Sequence, residues 1–67
     1  MSKWFFNYRQ KWTLEHIYKE GWITSMVVRR KFDVPAGQAV RDINAIKKRF
    51  PKLLKYDTTS KRYEKQH

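Results

Sequence analysis

Five residues near the middle of the chain, Ala36, Gly37, Gln38, Arg41 and Asn44, combine small side chains with an amide and a guanidinium at helical spacing. The small pair allows a close backbone approach to another surface, and glutamine and arginine each present two hydrogen-bonding groups in one plane. Such planar pairs match the edges of bases, Gln to adenine and Arg to guanine, at roughly 1–3 kcal/mol of discrimination per good pair. Asn44 adds a third polar group for a base or a phosphate.

Around these residues the chain is strongly basic, with twelve Lys and Arg against four acids between positions 29 and 65. Arg29, Arg30, Lys48, Lys52, Lys55, Lys61 and Arg62 are the expected backbone and wing contacts to phosphates. Each contact formed steepens the fall of log K with log salt by about 0.9. Asp42 is the exception, because a carboxylate facing phosphates is repelled. It is expected to point away and pair with a basic residue.

Other chemistries lack their residues. A chain of 67 residues sits where folding buries only about 60% of the unfolded surface, which is enough for one core but not for an added enclosed cleft. An enzyme is therefore not expected, and His16, beside Glu15 only in sequence, has no nucleophile to activate. With no cysteine and only His16 and His67, no disulfide, metal or cofactor is expected. No apolar run approaches the roughly 18 residues of a membrane span. The expectation is a soluble protein of the cytoplasm, nucleoid-associated in a bacterium or free in a host cell if encoded by a phage. A net charge of +10 predicts attraction to polyanions. Hydrophobic residues at 40% and aromatics at 16% give the chain more to bury than disordered segments have.

The elements that position these residues follow from punctuation and periodicity. Lys3 to Glu20 holds no Gly or Pro, and Phe5, Tyr8, Trp12, Leu14, Ile17 and Tyr18 recur at helical spacing, predicting a first helix over 3–20 with Phe5, Tyr8 and Trp12 facing the core. Gly21 follows as a C-terminal cap, and Trp22 and Ile23 make a short extended link. Thr24 or Ser25 caps a second helix over 24–32. Asp33-Val34-Pro35 breaks it, with Val34 plugging the corner. A third helix over 36–49 buries Ala39, Ile43, Ile46 and Phe50 on one face and presents Gly37, Gln38, Arg41, Asn44, Ala45 and Lys48 on the other. Leu54 and Tyr56, the turn Asp57-Thr58-Thr59-Ser60, then Arg62 and Tyr63 read as a hairpin over 53–64. The fold class is mainly α with a small β-hairpin: a winged helix-turn-helix of three helices plus a wing, filling one domain over 1–67.

Specific stretches carry a resemblance. Glu20-Gly21-Trp22-Ile23-Thr24, Phe32-Asp33-Val34-Pro35-Ala36-Gly37-Gln38-Ala39, Arg41-Asp42-Ile43, Leu54-Lys55-Tyr56-Asp57 and Ser60-Lys61-Arg62-Tyr63 resemble the N-terminal winged-helix domain of WYL-domain transcriptional regulators. DeoR-type repressors share the looser pattern. The resemblance covers roughly Leu14 to Glu64 and implies promoter binding as a dimer. It implies a base contact at Gln38, a variable polar position at Arg41, and Tyr56 and Tyr63 packed under the wing. Pro35 departs from the serine or threonine common at that cap. The family's sensing and dimerising domains have no counterpart in these residues, so Trp4 and Phe6, the aromatics left off the core face, are the candidates for an interface with a second copy or a protein partner.

Two readings follow. The first is a sequence-specific regulator of double-stranded DNA, repressor-like, with an excisionase-like architectural binder as its variant. The second is a small phage-type protein-binding winged helix that docks its basic face on an acidic surface of a host nucleic-acid machine, such as a CRISPR complex.

Overall fold

The computed structural model describes residues 7–66, so Trp4, Phe5 and Phe6 lie outside the described residues. Six elements follow in order: α1 (Tyr8–Glu20), β1 (Trp22–Ile23), α2 (Ser25–Phe32), α3 (Ala36–Arg49), β2 (Leu54–Asp57) and β3 (Arg62–Lys65). This is three helices with a small antiparallel sheet, a winged helix fold.

α1 begins at Tyr8 rather than at Lys3. Asn7 has extended backbone and its side chain accepts from the Gln10 N–H, so it caps the helix. Gly21 ends it with φ of 86°, a left-handed conformation that other residues enter only with strain, and its N–H returns to the Ile17 carbonyl at 2.8 Å. Thr24 caps α2 through its hydroxyl. The αL residue Asp33 and then Pro35 separate α2 from α3.

Ile17, Ile23, Val28, Ala39, Ile43, Ile46 and Leu54 form the core, with Leu14, Phe32, Val34, Phe50 and Tyr63 packed around them. Every element except β2 and β3 sends a fully buried aliphatic or alanine into it, and β2 sends Leu54. Tyr8 is corrected from a core position to an exposed one, 70% accessible, where it meets Phe32 edge-on. The helix leaves it outside because, five and nine residues before Thr13 and Ile17, it falls on the face of α1 turned away from the side they bury.

Trp22–Ile23 is more than a link. It pairs antiparallel with β3, giving the order β1-β3-β2, with Ile23 opposite Tyr63 and Tyr63 opposite Tyr56. The wing is therefore two strands of a three-stranded sheet, and it runs one residue further than the hairpin expected from sequence, to Lys65. Tyr63 packs on the core, whereas Tyr56, edge-on to it with centroids 5.0 Å apart, stays half exposed.

Candidate nucleic-acid interface

The buried stripe of α3, Ala39, Asp42, Ile43 and Ile46, fixes which side chains face outward. Gly37, Val40, Arg41, Asn44 and Lys48 are exposed on the side turned away from it, and Ala36, in phase with Ile43, is exposed where the helix begins. Val40 was missed from sequence although helical spacing puts it on this stripe with Gly37, Arg41 and Asn44. It is the one aliphatic side chain there.

Gly37 is not required by the fold. A Cβ at this position would meet nothing within 4 Å, and the backbone is helical. Gly37→Ala is expected to stabilise the domain by ~0.5–1 kcal/mol, since alanine loses less backbone freedom in a helix. A urea titration of the variant measures this, and an unchanged or lower midpoint would show a packing role for the glycine.

Gln38 differs from its neighbours. It is half-buried, and its amide Nε2 donates to Asp42 Oδ1 at 3.1 Å. Asp42 is fully buried and, as expected, pairs with a basic residue, the α1 side chain Arg9, whose Nε lies 2.9 Å from Oδ2. Gln10 also donates to Oδ1, at 3.2 Å. The hydrogen bond to Asp42 holds the Arg9 pKa above its usual value. One carboxylate thus collects donors from two helices and fastens α1 to α3. A buried charge with both oxygens satisfied is the arrangement that makes its burial tolerable. Beside it, the buried Thr13 hydroxyl donates to the Arg9 carbonyl at 2.8 Å.

The wing comes close to α3. Val40 and Ile43 of α3, Thr24 and Ser25 at the head of α2, and Tyr56, Lys61, Arg62 and Tyr63 of the wing line one hollow of about 170 Å³. At the wing's tip the Lys61 N–H closes the turn on the Asp57 carbonyl at 2.7 Å, and Lys61 itself takes φ of 59°. The Asp57 carboxylate accepts from the Thr59 N–H at 2.9 Å, which pulls its pKa below the ordinary carboxylate value.

The expected phosphate contacts separate into two groups. Arg29, Arg30, Lys48, Lys52, Lys55 and Lys61 are exposed. Lys52 sits away from the wing tip, in a shallow hollow with Tyr18, Phe50 and Leu53. Arg62 is already engaged. Its guanidinium pairs with Glu64 and stands 4.8 Å from the Trp22 ring centroid. Residues 62 and 64 share one face of a strand, so the period of two brings them together.

No group of three or more His, Cys, Asp or Glu that could hold a metal occurs among the described residues. No helix among them is long and apolar enough to cross a membrane.

No curated protein and no solved structure matched the chain. Residues 7–67 match the family model described as the BrxR transcriptional regulator winged helix-turn-helix domain, the kind of regulator domain that the recognition-helix and hairpin motifs had implied. That match spans nearly the whole sequence, and the chain belongs to this family of winged helix-turn-helix domains of transcriptional regulators.

Proposed function

We propose that this domain binds double-stranded DNA sequence-specifically and acts as a small repressor-like regulator. α3 lies in the major groove and the wing runs along the backbone. What supports the reading is the hollow shared by Val40 of α3 and Lys61 of the wing, which sets the exposed polar and apolar stripe of α3 beside a cation of the wing. Arg41 and Asn44 offer hydrogen bonds to base edges, and Val40 offers an apolar contact for a thymine methyl. Ala36 and Gly37 leave room at the point of closest approach. Arg29, Arg30, Lys48 and Lys55 serve phosphates. The place of action is the cytoplasm, where DNA is reached directly, and no catalytic step or cofactor belongs to the mechanism.

Selection from a random duplex pool at physiological salt tests this reading, because salt suppresses the unspecific charge contribution and leaves base readout visible. An enriched motif is expected. An inverted repeat would mean a dimer on the operator, with Trp4 and Phe6 the first residues to examine, and a single half-site would mean a monomer. A bound fraction indistinguishable from the input pool would overturn operator binding. In the same assay Arg41→Ala should relax preference at one base pair, whereas Lys55→Ala should weaken all sequences about equally. Gly37→Ala, stable as a fold, should lose affinity through crowding at the groove.

A further inference from the structure

The buried carboxylate of Asp42 does more than hold two helices together, because one of its three donors is the half-buried Gln38 near the start of α3. Gln38 is the third residue of α3, within the N-terminal turns that meet base edges in helix-turn-helix proteins. Its Nε2 is fixed on Asp42 Oδ1 at 3.1 Å. A carboxylate only accepts hydrogen bonds, so the amine end of the Gln38 amide has to face Asp42 and the carbonyl end has to face away from it. Rotation of the amide by half a turn would set carbonyl oxygen against carboxylate oxygen. Gln10 donates to the same oxygen and Arg9 occupies the other, so Asp42 has no reason to turn.

We infer that Asp42 is a positioning residue for base recognition: by pinning the Gln38 amide it leaves one acceptor and one remaining N–H on the outer side, which selects adenine and rejects guanine. Adenine presents N6–H₂ as donor and N7 as acceptor, matching that pair. Guanine presents O6 and N7, both acceptors, and needs two donors. A free glutamine supplies two by turning its amine end to the base. The pinned one cannot, since one amide proton is held by Asp42. This inference rests on the DNA-binding reading above and adds to it the identity of one base and the residue that enforces it.

Asp42→Asn provides the test through hydrogen-bond logic. The Arg9 guanidinium is a donor, so the new amide must aim its oxygen at Arg9 and its NH₂ at Gln10 and Gln38. Both glutamines must then turn over to offer carbonyl oxygens, and Gln38 presents its amine end outward with two donors. Duplex selection is run on the wild type, Asp42→Asn and Gln38→Ala, each checked by circular dichroism. The wild-type motif is expected to hold an adenine favoured over guanine by roughly tenfold or more. That column alone should vanish in Gln38→Ala and move toward guanine in Asp42→Asn.

A wild-type motif whose columns all survive Gln38→Ala would overturn the inference while leaving the DNA-binding reading intact. An absence of any motif would overturn both. An adenine column unchanged in folded Asp42→Asn would show that Gln38 reads without Asp42 and would also overturn it. Should Asp42→Asn not fold, hydrogen exchange of the Gln38 side-chain amide in the wild type decides: slowed exchange supports the pinning, and exchange at the rate of a free glutamine overturns it.

Discussion

Asp42→Ala should cost about 3 kcal/mol of folding free energy, because removing a hydrogen-bonded buried charge strands its partners. The carboxylate is wholly buried and takes Arg9, Gln10 and Gln38. All three are donors, and none has a second carboxylate within the cluster to turn to. Arg9 is one-fifth exposed, so water relieves part of its loss. The two amides and the volume left by the carboxylate carry the rest. At ~0.05–0.15 kcal/mol per residue, a domain of this length has a total stability of only about 3–10 kcal/mol. A loss of 3 kcal/mol in so small a domain lowers Tm by more than about 12 °C. Thermal unfolding followed at the tryptophans measures it. Asp42→Asn, which keeps a full set of hydrogen bonds after the amides turn, should lose much less. Equal losses for the two exchanges would mean that charge, and not hydrogen bonding, holds α1 to α3.

The second large effect belongs to affinity. Replacing Lys48, Lys55 and Lys61 together by Gln should flatten the dependence of log K on log salt by roughly 2.7 units if each serves one phosphate, with the fold unchanged. All three are exposed, on the flank of α3, on β2 and at the wing's tip. Titrations of one duplex across several salt concentrations give the slope directly. Arg62→Gln supplies the contrast, since its guanidinium is shared with Glu64 and the Trp22 ring and has less to give a phosphate. Its slope should change by well under one unit. A full unit lost in Arg62→Gln would mean that the Glu64 pair opens on DNA. No change in the triple variant would remove the wing from the interface.

How much of this was legible in the sequence depended on the range of the signal. α2 and α3 were, because Gly21, Thr24, Asp33 and Pro35 punctuate them locally and the stripe Ala39, Ile43, Ile46 repeats at helical spacing. The beginning of α1 was obscured by the aromatic run, although Asn7 is a favoured cap residue and does cap it. β1 was legible as an extended link but not as a paired strand. Two residues have no period, and their partner strand lies at the far end of the fold. The interface divides in the same way. Arg41, Asn44 and the exposed lysines follow from helical geometry, and so would Val40 have done had the outward stripe been counted in full. The Gln38–Asp42 bond spans one helical turn and was open to the same count. Arg9, which completes it from another helix, was not, because nothing local links it to Asp42.

The two-residue strand after α1 also has a kinetic meaning. An isolated hairpin of this kind closes in about 1–10 μs, since its partners are neighbours in sequence. β3, however, is flanked on both sides, with Ile23 opposite Tyr63 across one edge and Tyr56 opposite Tyr63 across the other. The wing therefore cannot reach its final seat until the first and last segments have met, and loop closure of that span is among the slow, non-local steps of folding. On a ribosome the helices can form as they emerge. The wing has to wait for the final strand, and a domain caught before that moment would carry its recognition helix without the basic arm beside it.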